Sequence, residues 1–169
     1  MRRLNFFSLL VFLGLLVLAS LAVSPALALP APMSEQELTE KSDVVALMRV
    51  LSVTCTSVVK DEQTGEDLPG YLAKLKVMEV TKGDVKQGEV VLVTWRAVPK
   101  GIVGPWTVYY YPGEEMVTHL TKRSGGVSYA STWWNAKGDD VKAPETRDLP
   151  TTPGETVVPP EEPVKRMPL

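Results

Sequence analysis

The sequence predicts an all-β domain of five strands preceded by one short helix. Three observations carry this. Residues 44–98 and 115–134 are rich in β-branched and apolar residues, in places alternating strictly with polar ones. Gly and Pro cluster between these stretches. No strand–helix–strand alternation follows the first strand, which argues against a parallel sheet.

The elements follow in order. SEQELTEKSD opens the domain, with Ser34 placed to cap a helix and Glu37 three residues on to complete a capping box. The helix lasts about two turns before Ser42-Asp43 ends it. VVALMRVLSVTCTSVV, residues 44–59, is rich in β-branched residues, with Arg49 as its one charge. A strand this long must bend or serve two sheets. DEQTGEDLPG, residues 61–70, reads as a polar loop closed by Pro69-Gly70. YLAKLKVMEV then alternates: Tyr71, Ala73, Leu75 and Val77 point one way, Lys74 and Lys76 the other. After the turn TKGDVKQG, EVVLVTWRAV places Val91, Val93 and Trp95 on one face. Pro99, Gly101, Gly104 and Pro105 interrupt the chain before an aromatic stretch. EMVTHLTKR and VSYASTWW flank Ser124-Gly125-Gly126, the signature of a β-hairpin. Five strands with a long, bent first strand suit a small closed barrel of the OB type. A flattened β-sandwich is the alternative.

The ends differ from this middle. MRRLNFFSLLVFLGLLVLASLAVSPALALP has two arginines, a long apolar run and the small-x-small site Ala26-Leu27-Ala28. That is the layout of a secretory signal peptide, residues 1–28, cleaved after Ala28. The alternative is a retained membrane anchor, since the apolar run approaches the ~20 residues a bilayer needs. The expected location is secreted or periplasmic. The 18 basic residues less Arg2 and Arg3 leave 16 against 20 acidic ones, a net charge of −4. That balance argues against a nucleic-acid partner. Residues 143–169 hold seven of the 14 prolines and no aromatic residue, so they are expected to form a solvated, disordered tail. The domain proper is residues 29–142.

The stretches SDVVALMRVLSV, YLAKLKVMEVTKGDVKQGEVVLV and YYPGEEMVTHL resemble the netrin-like domain. This is the OB-type barrel shared by tissue inhibitors of metalloproteinases and by bacterial exported proteins. The points of similarity are Ser42-Asp43 before a valine-rich strand, Val80-Thr81-Lys82-Gly83 ending the second, and Pro112-Gly113-Glu114 entering the fourth. The resemblance implies the fold. It does not carry inhibition over, because those inhibitors chelate a metal with a cysteine at the mature N-terminus, whereas Cys55 lies inside this domain.

Few residues suit catalysis. His119 is the one histidine and Cys55 the one cysteine. They could act as base and nucleophile only if the fold brought them together. No Gly-x-Ser-x-Gly elbow or Gly-rich phosphate loop is present. Zinc and blue-copper sites need more His or Cys than the chain has. Asp139-Asp140 and Asp61-Glu62 are acidic but fit no calcium loop. No catalytic residue, metal or cofactor is expected.

The aromatic residues are the remaining signal. Beyond residue 28 the chain has nine, seven of them between Trp106 and Trp134. Face counting on the hairpin groups Met116, Thr118 and Leu120 with Tyr129, Ser131 and Trp133 on the core side. It puts Trp134 outside with Val117 and His119. Of Tyr109, Tyr110 and Tyr111, at least one must also face away. These rings either close the barrel as a lid or form a ligand platform. The expected site is Trp134, His119, Tyr109, Tyr110, Tyr111 and Trp106.

Three functions follow as expectations. The first is an exported, non-catalytic module that binds a protein or glycan in the cell envelope or outside the cell. Contact with a membrane is expected only if the signal segment is retained. The second is a peptidase inhibitor of the netrin-like kind. The third is a small enzyme with His119 beside a carboxylate such as Glu114 or Glu115.

Overall fold

The computed structural model describes residues 30–101 and 107–160. The expected signal peptide therefore lies outside the described residues. So do Trp106 and residues 161–169. No helix among the described residues is long and apolar enough to cross a membrane.

Helix α1, Glu35–Lys41, begins at the predicted cap. Ser34 Oγ accepts from the Glu37 amide, and the Glu37 side chain accepts from the Ser34 amide. The reciprocal bonds satisfy donors that a helix start otherwise leaves open. Leu38 is the helix's buried residue. Strands β1 (Val44–Lys60), β2 (Asp67–Lys82), β3 (Val90–Arg96), β4 (Glu115–Lys122) and β5 (Tyr129–Ser131) follow. They pair in the closed cycle β1-β2-β3-β5-β4-β1, with β3–β5 parallel and the other pairs antiparallel. The protein is thus an all-β, OB-like, five-stranded barrel rather than an open sandwich.

The long first strand bends through four register shifts against β2, between Val45 and Ser57. Each extra residue kinks the strand and increases its twist. The shifts let one strand serve two neighbours: β2 along its whole length and β4 at residues 44–49. Val44, Ala46, Met48, Val50, Val53 and Cys55 point into the core from β1. They meet Tyr71, Ala73, Leu75 and Val77 of β2, Val91, Val93 and Trp95 of β3, and Met116 and Leu120 of β4. Gly83 ends β2 at φ +108°, where a Cβ would run into the Asp43 carbonyl.

The expected loop at residues 61–70 is shorter. Pro69 and Gly70 are inside β2, opposite Val58 and Ser57. The Pro69 carbonyl accepts from the Ala97 amide, and a Cβ at Gly70 would sit 2.6 Å from Ser57 Oγ. Pro-Gly here serves a close strand approach beside a bulge, not a turn.

Two further strands were not expected. β6, Lys137–Lys142, pairs with β4 at residues 115–118. β7, Thr156–Val157, pairs with β1 at Thr54 and Val53. Part of the expected tail is thus laid on the barrel. Leu149 packs against the core, and Pro150 is buried. Composition argued for a solvated segment because it contains few apolar residues. The strand-to-strand hydrogen bonds that hold β7 leave no trace in composition.

Candidate functional site

The aromatic stretch alternates as an extended chain would, although it belongs to no strand. Val108 and Tyr110 are buried, while Tyr109 and Tyr111 are half-buried. Tyr110 is 0 % exposed. Its hydroxyl lies 2.8 Å from Thr118 Oγ1 and 3.0 Å from Ser131 Oγ. Its ring meets Trp95 edge-on at 5.5 Å, and Trp95 lies 5.1 Å from Tyr71. Burial pushes the Tyr110 phenol up to about 12. Tyr110 was expected to face a ligand; it closes the barrel core instead, because an aromatic ring with a polar tip can fill the interior where hydroxyl partners await it.

Tyr109 and Tyr111 lie on the other side of the alternation. Their rings stack 6.5 Å apart at 16°. The Arg147 guanidinium sits 5.2 Å from the Tyr111 ring centre, and Lys137 Nζ 5.5 Å from it. Tyr109 Oη accepts from the Val98 amide at 3.3 Å. Burial raises the Tyr111 phenol, and the Arg147 cation acts against that shift.

Behind the pair lies a buried ion pair. Glu114 is fully buried and takes hydrogen bonds from Lys137 Nζ at 2.9 Å and from the Tyr111 amide at 2.8 Å. Lys137 also donates to the Tyr109 carbonyl at 2.9 Å. The ion pair therefore fixes the backbone at both ends of the tyrosine triplet, Lys137 at Tyr109 and Glu114 at Tyr111. Burial raises the Glu114 carboxyl, against the lowering effect of Lys137.

The expected partnership of Trp134 with His119 on an open outer face is corrected by the fold. His119 is 3 % exposed. Its Nδ1 faces the Ala136 carbonyl at 3.3 Å; its Nε2 faces Glu35 Oε1 at 3.1 Å and Thr39 Oγ1 at 3.4 Å. Helix α1 and the chain after β5 thus cover it. The hairpin register is centred on Gly125-Gly126, pairing Leu120 with Ser131 and Lys122 with Tyr129. The pleat then breaks. His119 O accepts from the Thr132 amide while His119 N donates to Ala136 O. Residues 133–135 are therefore an insertion opposite one residue. Trp133 and Trp134 sit in it, both half-buried, and neither continues a strand face.

Chemistry has little to work with among the described residues. Cys55 is buried in the barrel core, and its amide donates to Glu155 O beside β7. His119 is paired with Val45, and Cys55 stands ten residues further along β1, on the order of 30 Å of strand. The fold does not bring them together: Cys55 belongs to the core cluster, whereas His119 lies against Thr39 and Glu35 of α1. Glu115 pairs with Arg49, and Glu114 with Lys137, so neither carboxylate is the partner of His119. No group of three or more His, Cys, Asp or Glu among the described residues could hold a metal ion. A shallow pocket lined by Arg49, Pro112, Lys142, Glu145 and Pro159 contains none of the expected site residues. No protein-family model, curated protein or solved structure matches the chain.

Proposed function

We propose that the chain is a non-catalytic, exported binding module that grips a protein or glycan through Tyr109 and Tyr111. The observation that supports this reading is the stacked, only partly buried ring pair, backed by a buried ion pair and flanked by Arg147. Rigid rings with a polar tip contribute contact area at low entropic cost. The Glu114–Lys137 pair holds their backbone in place before any ligand arrives, which lowers the cost of binding. Tyr110 is the anchor of the segment and takes no part in contact. The enzyme alternative has no support, because His119 is enclosed and its near carboxylate is the exposed Glu35.

The test is a double substitution, Tyr109→Ala with Tyr111→Ala. Wild type and variant are compared for retention on a glycan array and for cross-linked partners in the extracytoplasmic fraction. The variant should keep its melting temperature within a few degrees and lose wild-type partners. A folded variant that retains every partner would refute the assignment.

A further inference from the structure

The outer edge of β1 changes occupant along its length. Residues 44–49 pair with β4. Val50 then bonds the chain at Gly113 and Glu114. Val53 and Thr54 pair with Val157 and Thr156, and the two threonine hydroxyls meet at 2.8 Å. Cys55 accepts from the Gly154 amide at 2.8 Å and donates to Glu155 O at 3.0 Å. There the tail leaves. Gly154, at φ +88°, belongs to a turn closed by the Glu155 amide on Thr152 O. From Thr56 to Lys60, no strand among the described residues pairs with this edge. Val59 in that stretch is 42 % exposed.

The covering segment is held mainly through its backbone. Glu155, Thr156 and Val158 are exposed, and Val157 is only half-buried. Main-chain bonds of this kind are open to any extended chain, so side chains give β7 little exclusive claim to the edge. The edge is also longer than its occupant. A strand that followed β1 past its irregularity between Cys55 and Ser57 would add pairing at Val58 and Lys60, which the turn at Gly154 denies to the tail.

We propose that the β1 edge from Val53 to Lys60 is a strand-docking site for an extended polypeptide segment of a partner protein, and that β7 is its built-in, displaceable occupant. The partner segment runs antiparallel to β1. It replaces residues 154–157 at Val53–Cys55 and continues along Thr56–Lys60. The tail competes from within the same chain at an effective concentration of about millimolar, so the partner must gain from the extra length. This site is separate from the Tyr109–Tyr111 surface and stands whether or not those rings bind anything.

Two synthetic peptides test it against the full chain. One copies residues 149–160. The other copies them with Pro153→Thr and Gly154→Val, so that it can continue as a strand. Both are titrated into wild type and into Gly154→Pro. That substitution removes the amide that bonds Cys55 O, and proline cannot adopt the positive φ; no neighbour would meet the added Cβ. The straightened peptide should bind Gly154→Pro at least about tenfold more tightly than wild type, and about tenfold more tightly than the copied peptide does. Hydrogen exchange should slow on binding at the Val58 and Lys60 amides, which alternate with the Val59 amide that faces β2. Equal affinities for the two peptides, no binding to Gly154→Pro, or no new protection beyond Cys55 would each overturn the proposal. Loss of the barrel's circular dichroism signal in Gly154→Pro would overturn it too, since β7 would then be integral to the fold.

Discussion

Lys137 Nζ lies 2.9 Å from Glu114 Oε2 inside a layer where the carboxylate has no exposed surface and the ammonium little. The cation also caps the Tyr109 carbonyl and approaches two tyrosine rings. The pair therefore joins β6 to the aromatic segment. It is a device for order more than for stability, since a buried ion pair recovers little beyond its own desolvation cost.

Removing one partner should be much worse than removing both. Lys137→Met leaves the Glu114 carboxylate buried without its cation, which should cost about 3–5 kcal/mol at neutral pH. The double variant Lys137→Met with Glu114→Leu should recover much of that loss. Urea midpoints of the four proteins check it. A single variant no worse than the double would mean that the carboxylate finds another partner.

Glu114 also predicts a pH dependence with a definite sign. Burial holds its carboxyl above the ordinary value of 4.5 despite Lys137. The folded protein thus binds this proton more tightly than the unfolded chain. Its contribution to stability is fully present below 4.5 and is lost as pH rises through the raised folded value. Glu114→Gln cannot titrate. The stability of wild type minus that of Glu114→Gln should therefore fall as pH rises across that window. A difference that grows with pH would show that the cation outweighs burial.

Tyr110→Phe should destabilise the barrel by about 1–3 kcal/mol, because it leaves the buried Thr118 hydroxyl and the half-buried Ser131 hydroxyl without their shared partner. The wild-type phenol, pushed up to about 12 by burial, stabilises the folded state fully below 10 and loses that contribution between there and about 12. Ultraviolet titration should show Tyr110 ionising last, above Tyr71 and Tyr111, whose phenols burial also raises, and Tyr110→Phe should remove that last step. If all the tyrosines titrate normally while the barrel stays folded, Tyr110 is not enclosed.

Some of this was legible in the residues, and the pattern of what was not has physical causes. The capping box at Ser34 and Glu37 and the alternation from Tyr71 to Val77 are local signals, and both appear where the sequence puts them. The length and β-branching of residues 44–59 implied a bend, and the register shifts supply it. Pro69-Gly70 misled because a turn dipeptide and a close-approach dipeptide look alike in sequence. β7 was invisible because backbone pairing depends little on side-chain type. His119 was expected outside by parity alone; parity does not report that a helix packs over the outer face.

The two tryptophans of the last hairpin test that final point. Face counting assumed an unbroken pleat and separated Trp133, as core, from Trp134, as surface. The insertion at 133–135 removes both from the ladder, and its visible task is to hold the N-terminal segment. Trp133 Nε1 donates to Ala31 O at 3.1 Å. Asn135 closes a two-way bridge to Met33, accepting from its amide at 3.2 Å and donating to its carbonyl at 2.8 Å. Trp133→Ala should therefore cost less than the ~3–5 kcal/mol of an emptied core ring, and should loosen residues 31–33 rather than the barrel. Asn135→Ala should give the same signature with little change in buried apolar area. The readouts are faster proteolysis near Met33 and faster exchange of its amide, with core amides such as Leu75 and Val93 unchanged. Should Trp133→Ala instead expose Leu75 and Val93, the ring supports the core itself, and the insertion is part of the barrel wall rather than a clasp for the chain that precedes α1.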